Sequence, residues 1–302
     1  MKMKIYGIAP PMVTPFTDDE TVDESLLRAE VEYLITEAGV HGVAVGGSTG
    51  EGHTLTTDEL RQVVGAACEV AAGRAPVIAG IIVDSTRQAI EKAEALADLD
   101  VAALQVTPVH YLFRPTDEMT FEHFARLADS AAQPVMIYNV VPWNYCSPAL
   151  LDRMMREIDG LIGVKQSAGD LKLLADLLLA SSDAGIIMSA VDALLYPSFC
   201  LGAHGAIAAI LTAAPELCVA LWNQVQAGDH AAAFETHRKL LPIFNALEAD
   251  NMPANVKTAL ALQGRPAGKP RKPMPESSAQ QRAAIEAALL NAGVKLAAGA
   301  FA

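Results

Sequence analysis

The sequence predicts an α/β protein built as a (β/α)8 TIM barrel with a C-terminal helical extension. Strand-like and helix-like segments alternate eight times before a stretch that is helical to its end. The strand-like segments are apolar throughout, which is typical of a parallel sheet covered by helices. Eight such units favour a closed barrel over an open doubly wound sheet. We therefore expect a catalytic barrel over residues 1–228 and a helical extension packed on it over residues 229–302.

Short apolar runs define the predicted strands. The first begins at Ile5 and runs into a Pro-rich loop, and the others cover residues 42–47, 75–81, 101–108, 134–140, 161–167, 184–190 and 205–210. Segments with apolar residues at helical spacing follow them over residues 23–39, 56–73, 85–99, 116–131, 147–158, 170–181, 192–202 and 214–228. The extension contributes helices over residues 230–249, 255–264 and 277–293.

Polar residues mark two of the helix starts. Thr56 or Thr57 is expected to cap the second helix, and Ser85 opens a capping box at the third.

Composition narrows the class of protein. The net charge is −13, from 22 basic and 35 acidic residues, and no block of Lys or Arg forms a phosphate-binding stripe. Nucleic acid is therefore not expected as a partner. No apolar run approaches the roughly 20 residues that a membrane span needs, and the N-terminus lacks the apolar core of a signal peptide. The four cysteines are far apart and form no C-x-x-C pair, which favours a reduced, cytoplasmic protein.

Lys165 lies inside the sixth predicted strand, after the apolar residues Leu161, Ile162 and Val164. A lysine in such a position must reach solvent, pair with a carboxylate or take part in chemistry. Burial disfavours the ammonium form of a lysine. An uncharged amine can attack a ketone and form a Schiff base. A structural lysine whose head group reaches solvent at the strand end is the alternative.

Active sites of this fold lie at the C-terminal ends of the strands. Several chemically useful residues follow or end predicted strands: Gly47, Ser48, Thr49, Tyr111, Tyr138, Lys165 and Ala206. The glycine-rich turn with Ser48 and Thr49 offers amides and hydroxyls to a small anion, here a carboxylate. An ordinary capping turn with Glu51 as a first-turn acid is the alternative.

The two tyrosines are candidates for proton transfer. Tyr138 ends a buried strand, so its hydroxyl can face the barrel mouth and exchange protons with a carbinolamine or a departing hydroxyl. Tyr111, on a loop beyond Pro108, is a candidate second member of a proton relay. A core tyrosine and a loop or interface aromatic are the respective alternatives.

Metal and hydrolase chemistry lack support in the sequence. The seven histidines show no H-x-x-H or H-E-x-x-H spacing, so no metal ligands and no cofactor are expected. There is no G-x-S-x-G elbow, so acyl-transfer hydrolysis has no support either.

Taken in order, five motifs resemble those of the dihydrodipicolinate synthase / N-acetylneuraminate lyase superfamily. They are GIAPPMVTPF, GGSTGEG, VTPVHY, YNVVP and GVKQSAGD, and the later NMPANVKTALALQGRP also fits that superfamily. The resemblance implies a cytoplasmic, metal-independent class I lyase on a (β/α)8 barrel, typically a homotetramer. Lys165 would form the Schiff base with pyruvate or another 2-oxo acid, and Tyr138 would be the general acid/base. Ser48 and Thr49 would hold the carboxylate, and Tyr111 would reach into a neighbouring subunit's site.

One departure from the superfamily affects the expected substrate. Its dihydrodipicolinate synthases carry an arginine after the YNVP stretch, where it helps to hold the acceptor's carboxylate. This chain has an extra residue and presents Asn144 in that register. Loss of a bidentate carboxylate clamp is not a conservative change. We therefore interpret Asn144 as an acceptor-binding residue for an aldehyde other than aspartate semialdehyde.

The leading hypothesis is a Schiff-base aldolase that cleaves or forms a 4-hydroxy-2-oxo acid or a 2-keto-3-deoxy sugar acid from pyruvate and an aldehyde. The alternatives are dihydrodipicolinate synthase proper and a dehydratase that uses the same lysine. A non-catalytic 2-oxo acid-binding barrel and a metal-dependent aldolase belong to different classes. The sequence does not name the natural acceptor.

Overall fold

The computed structural model describes residues 4–109, 111–167, 170–181 and 183–297. Within these ranges eight parallel strands form one sheet, in the order β1-β8-β7-β6-β5-β4-β3-β2. The strands are β1 Gly7–Ile8, β2 Val43–Val45, β3 Val77–Ile81, β4 Ala103–Val106, β5 Val135–Asn139, β6 Leu161–Gln166, β7 Ile186–Ser189 and β8 Gly205–Ala206.

The sheet closes on itself just beyond the end of β1. On one side, Gly7 of β1 pairs with Gly205 of β8. On the other side, Pro11 forms a parallel bridge with Ala44 of β2, and the Met12 amide donates to the Ala44 carbonyl over 2.8 Å. The strands therefore surround a closed interior, and the predicted (β/α)8 TIM barrel is confirmed.

Twelve helices accompany the strands in the described ranges. They are α1 Glu24–Thr36, α2 Thr57–Ala71, α3 Thr86–Ala95, α4 Asp117–Ser130, α5 Pro148–Glu157, α6 Leu171–Ser181, α7 Leu195–Cys200, α8 Ile210–Ala213, α9 Pro215–Gln226, α10 His230–Leu247, α11 Met252–Leu262 and α12 Ala279–Ala292. Thr56 caps α2 in a full capping box with Glu59, so the first of the two candidate threonines is the cap. None of the helices in these ranges combines the length and the apolar character that a membrane crossing requires.

Helix α3 differs from its prediction at both ends. Ser85 accepts from the Gln88 amide (3.2 Å), but the Gln88 side chain accepts from the Asp84 amide instead of closing the capping box on Ser85. The helix ends at Ala95 and not at Leu99. The reason is that the backbone tightens there, since successive amides from Leu96 onwards bond to carbonyls only three residues back.

The eighth strand is also shorter than predicted. Pairing stops at Ala206, and Ile210, which was expected in the strand, begins helix α8. The Ile210 amide donates to the carboxylate of Asp192 (2.7 Å) and not to a neighbouring strand. A side chain from the loop after β7 therefore holds the first amide of α8.

Two apolar clusters result from the alternation of side chains along each strand. The larger one fills the space between the strands and the helices and includes Val135, Ile137 and Val164. The smaller one fills the barrel interior with Ile5, Ala9, Ala44, Ile78, Ala103, Met136, Met188 and Ile207. Residues one layer above this inner cluster point towards the C-terminal mouth of the barrel.

The C-terminal helices pack on one flank of the barrel. Helix α10 contacts α9, α7 and α12, and α11 contacts α8 and α12. The buried side-chain amide of Asn255 donates to the Leu247 carbonyl (3.0 Å), which joins the start of α11 to the end of α10. These helices match the predicted extension, and the boundary between residues 228 and 229 stays a prediction.

Candidate active site at the barrel mouth

Lys165 and Tyr138 are neighbours across β5 and β6, where they form a register pair. Tyr138 lies two residues beyond Met136 of the inner cluster, so its side chain faces the barrel interior. Lys165 also pairs with Met188 of that cluster. The strand register alone therefore brings the amine and the phenol together inside the mouth.

The amine of Lys165 is enclosed by the barrel. The residue is 3% exposed, and its Nζ lies 3.7 Å from the centroid of the Tyr138 ring. This excludes the interpretation of a structural lysine whose head group reaches solvent.

The glycine-rich turn after β2 meets this pair from the opposite side of the mouth. The Tyr138 hydroxyl donates to Ser48 Oγ over 3.2 Å. The turn itself is tied to the loop after β1, because the Thr14 hydroxyl donates to the Gly50 carbonyl (2.6 Å). Ser48 and Thr49 are half-buried and keep access to the cavity. The arrangement offers two hydroxyls to an anion bound next to Lys165.

Glu51 is not a first-turn acid of a helix, which corrects the alternative interpretation of this turn. It is fully buried, has a left-handed backbone (φ 54°) and precedes a short 3₁₀ turn at Gly52–Thr54. Helix α2 begins only at Thr57. A buried carboxylate at this position requires a partner, and Lys257 of α11 lies 2.7 Å from Glu51 Oε1.

A cavity of about 360 Å³ opens at this point. Its lining comprises Ser48, Thr49, Tyr138, Val140, Lys165, Ser167, Ala190, Asp192, Ile207, Ala208, Ala209, Ala249, Asp250, Met252 and Pro253. The volume suits a small substrate with few carbon atoms. Among these lining residues, Lys165 is the single basic side chain, and Asp192 and Asp250 are the acidic ones. The lining therefore holds more acidic than basic groups.

Asp192 is the lining carboxyl group whose pKa is affected by the charge of Lys165. Its pKa is raised to about 6, because burial disfavours the carboxylate, while hydrogen bonds from the Ile210 and Ala209 amides and the charge of Lys165 oppose that rise. The carboxyl group therefore titrates near neutral pH.

Four of the predicted site residues line this cavity, namely Lys165, Tyr138, Ser48 and Thr49. Gly47 and Ala206 are buried and do not line the cavity, although their chain neighbours Ser48 and Ile207 do, and Ala206 belongs to the larger apolar cluster. Tyr111 is 64% exposed, and its amide donates to Asp84 (3.2 Å). It does not line the cavity of its own subunit.

Asn144 lies outside the cavity lining as well. It is 4% exposed, and its side-chain amide donates to the Val109 carbonyl over 2.7 Å. The side chain thus joins the loop after β5 to the loop after β4. This buried hydrogen bond gives Asn144 a structural role between the two loops.

Part of the wall was not expected from the sequence. Ser167 follows β6, and its buried hydroxyl has no partner among the described residues. Asp250 comes from the link between α10 and α11, and Met252 and Pro253 are the first two residues of α11, all in the extension. The sequence signal for Met252 and Pro253 was the NMPANVKTALALQGRP segment, which begins at Asn251, and Asp250 had none. The position of these residues over the mouth depends on tertiary packing.

One basic residue outside the cavity lining acts electrostatically on the loop after β5. Burial raises the pKa of the Cys146 thiol to about 12, and the charge of Arg114 opposes that rise. Arg114 is exposed on the loop before α4. Its charge therefore lies close to the loop after β5. In the described part of the chain, no group of three or more His, Cys, Asp or Glu side chains is arranged to hold a metal ion.

Known proteins share the sequence and the fold of this chain. The model of the dihydrodipicolinate synthetase family matches residues 4–292. A 4-hydroxy-tetrahydrodipicolinate synthase of Methanopyrus kandleri is 36% identical over 280 residues, which is 92% of this chain and 93% of the relative. One from Bradyrhizobium diazoefficiens is 35% identical over 299 residues, or 97% and 98% of the two chains. The structure of YagE from E. coli K12, a dihydrodipicolinic acid synthase family protein in complex with pyruvate, aligns with a TM-score of 0.91 at 26% identity and covers 96% of this chain and 99% of its own.

The raised pKa of Asp192 has a consequence for stability. A carboxyl group whose pKa is higher in the folded than in the unfolded chain stabilises the fold below its unfolded pKa of 3.8 and loses that effect as the pH rises through about 6. We expect the Asp192→Asn variant, which keeps the acceptor for the Ile210 amide, to lose this pH dependence. Between pH 4 and pH 7 the free energy of unfolding should fall by up to about 3 kcal/mol more in the wild type than in the variant.

Denaturant unfolding of both proteins at each pH measures this difference. Parallel pH profiles for the two proteins would contradict the assignment of a raised pKa to Asp192.

Proposed function

Because this chain belongs to the dihydrodipicolinate synthetase family and is a lyase of that family, we propose that Lys165 forms a Schiff base with pyruvate. The observation that carries the proposal is the enclosed Lys165 amine, 3.7 Å from the Tyr138 ring centroid in a cavity that also exposes Ser48 and Thr49. The pyruvate in the complex of YagE supports the choice of 2-oxo acid.

The chemistry begins at the ketone carbon of pyruvate. The uncharged Lys165 amine adds to C2 and gives a carbinolamine, which loses water to form a protonated imine. The imine draws electrons from C3, a proton leaves C3, and the resulting enamine attacks an aldehyde. With an acceptor that lacks an amine, hydrolysis of the product imine returns the lysine amine. With an acceptor that carries an amine at the right distance, that amine attacks C2 instead, displaces the lysine amine and closes a ring as a cyclic imine. The imine thus takes the part that a metal ion plays in metal-dependent aldolases.

Tyr138 serves this sequence as the proton carrier. Its ring contacts the amine and its hydroxyl donates to Ser48, so one side chain reaches both the reacting nitrogen and the anion-binding turn. A phenol in that position delivers a proton to the departing hydroxyl of the carbinolamine and recovers it from the nitrogen or C3. Ser48 and Thr49 hold the carboxylate, which orients C2 towards Lys165.

For the acceptor, the proposal is aspartate semialdehyde, so that the product is 4-hydroxy-tetrahydrodipicolinate. The relatives named as synthases of this compound match nearly the whole chain. They support this activity better than the 4-hydroxy-2-oxo acid aldolase that leads the sequence-based hypotheses. Arg114, whose charge lies near the loop after β5, is the basic residue offered to the acceptor's carboxylate in place of the missing arginine.

A second candidate is favoured by the charges of the cavity. Asp192 and Asp250 line it, and Lys165 is the single basic group in the lining. Carboxylates accept hydrogen bonds from hydroxyl groups and repel a second carboxylate. A hydroxylated, uncharged aldehyde therefore suits this lining, and the reaction would then be aldol cleavage or formation of a 4-hydroxy-2-oxo acid.

Tyr111 and the assembly complete the proposal. The loop after β4 exposes Tyr111, Leu112 and Phe113, and Trp143 on the loop after β5 is also exposed. Exposed aromatic residues of this kind are typical of subunit interfaces. The proposal is a homotetramer in which Tyr111 enters the site of a neighbouring subunit.

The Schiff base has a direct test. Borohydride reduction in the presence of pyruvate should attach one adduct to the wild-type chain, at Lys165, and none to Lys165→Arg. Intact mass and peptide mapping measure it. Lys257 is an internal control, because it is equally buried but is paired with Glu51. An adduct on Lys257, or on Lys165→Arg, would contradict the proposed nucleophile.

The acceptor is tested by turnover of the enzyme with pyruvate and each of two aldehydes. We expect kcat/KM for aspartate semialdehyde to exceed that for glyceraldehyde by at least about tenfold, and Arg114→Ala to reduce that ratio by a similar factor because a charge-assisted contact is lost. A preference for glyceraldehyde would overturn the synthase proposal in favour of the second candidate. Pyruvate trapping should be unchanged in Arg114→Ala.

A role for Tyr111 in a neighbouring site predicts complementation between two inactive variants. Lys165→Arg and Tyr111→Phe should each lose most activity, with Tyr111→Phe reduced by about a hundredfold or more. Mixed assemblies of the two should regain activity, because one site of each pair then has Lys165 and an intact Tyr111 from its neighbour. Turnover is measured after co-expression of the two variants. If activity does not recover, Tyr111 acts within its own subunit or not at all.

A further inference from the structure

The turn that carries Ser48 and Thr49 ends in a residue with an unfavourable backbone. Glu51 has φ 54°, in the left-handed region, which is unfavourable for residues other than glycine, asparagine or aspartate. It is also fully buried. A strained, buried glutamate stays in place only if its surroundings stabilise it.

Those surroundings come from the C-terminal extension. Lys257 of α11, 2% exposed, lies 2.7 Å from Glu51 Oε1. The Arg271 amide donates to Glu51 Oε2 over 2.8 Å. Lys257 also donates to the Lys269 carbonyl (2.8 Å) and lies over the ring of Phe16. Both carboxylate oxygens are therefore held by residues more than two hundred positions later in the chain.

Glu51 is joined by a backbone hydrogen bond to Ser48, which carries one of the anion-binding hydroxyls. Its amide donates to the Ser48 carbonyl (3.1 Å), and the Gly52 amide donates to the Gly47 carbonyl (3.0 Å). The Thr54 amide in turn donates to the Glu51 carbonyl (2.8 Å). A shift of Glu51 would therefore move Ser48, whose Oγ accepts from Tyr138.

The same helix reaches the cavity at its other end. Met252 and Pro253, at the start of α11, line the wall, and Lys257 lies further along that helix. One ion pair therefore fixes the anion-binding turn relative to the helix that forms the opposite wall.

We propose that Glu51 and Lys257 are positioning residues that hold the Ser48–Thr49 turn in the geometry that binds the carboxylate of the 2-oxo acid. Neither residue touches the substrate. The C-terminal extension is thereby a functional part of the 2-oxo acid site and not only a support for the barrel. This inference rests on the proposed Schiff-base function.

The experiment compares two ketones that differ in charge. Pyruvate needs the turn for its carboxylate, whereas methyl pyruvate has an uncharged ester and needs mainly Lys165. In Glu51→Gln, we expect the pyruvate concentration for half-maximal borohydride trapping to rise by about tenfold or more, and that for methyl pyruvate to change by less than about twofold. Thermal unfolding of each variant is recorded alongside.

Glu51→Gln leaves a buried lysine without its counter-charge, which is destabilising. The double variant Glu51→Gln/Lys257→Met removes both charges and is expected to fold, since replacing a buried pair by neutral groups is often tolerated. It should show the same selective loss for pyruvate, because the turn is no longer held.

The chain offers a matched control. Glu30 of α1 is buried and pairs with Arg265 over 2.6 Å, but neither residue lines the cavity or contacts the turn. Burial raises the pKa of Glu30 to about 7, so the control is run at pH 8, where its carboxylate predominates. Glu30→Gln should lower thermal stability without changing the half-saturating concentration of either ketone.

Three outcomes would overturn the inference. The first is an unchanged half-saturation for pyruvate in folded Glu51→Gln and in the double variant. The second is an equal loss for both ketones, which indicates a general structural role. The third is the same selective loss in Glu30→Gln. By contrast, failure of the wild type to trap pyruvate at all would identify the Schiff-base proposal as the step that is wrong.

Discussion

The enclosure of one lysine amine in the interior of a closed parallel barrel is the constraint on which the site depends. Lys165 is 3% exposed and is held against the ring of Tyr138. The uncharged amine of a lysine is the form that attacks a ketone. The strand register produces this enclosure, because Tyr138 and Met188 flank Lys165 across the two neighbouring strands and all three side chains face inward.

The mouth around that amine is assembled from segments that are far apart in the chain. The anion-binding turn follows β2, the amine and the phenol come from β6 and β5, and part of the wall comes from residues 249–253. The buried pair of Glu51 and Lys257 joins the first of these segments to the last. Such a pair contributes little net stability compared with apolar residues, but it is demanding in geometry. Its value therefore lies in fixing one arrangement of the turn.

The two halves of the reaction proposed above, in which the 2-oxo acid is activated and the acceptor is bound, involve different parts of the structure. The 2-oxo acid half depends on rigid elements, namely strand ends and a turn closed by backbone hydrogen bonds. The acceptor half depends on loops, since Asn144 is committed to Val109 and Arg114 is exposed near Cys146. Loops vary more readily than the strands that carry them, and this is why one barrel supports several related reactions.

The sequence by itself determined the barrel and the core of the site. Eight apolar strands alternating with helices require parallel pairing, and parallel pairing in a closed barrel brings strand ends together, so Lys165, Tyr138, Ser48 and Thr49 converge on one cavity. Helix and strand ends were less predictable: α3 ends early at a tightened turn, and β8 stops at Ala206, before an α8 whose first amide bonds to Asp192. Only the tertiary structure decided that Glu51 pairs with Lys257, that Asn144 turns to Val109, and that Asp250, Met252 and Pro253 enclose the mouth. The physical reason is that local periodicity reports which face of an element is buried, whereas these contacts depend on which distant segment packs against that face.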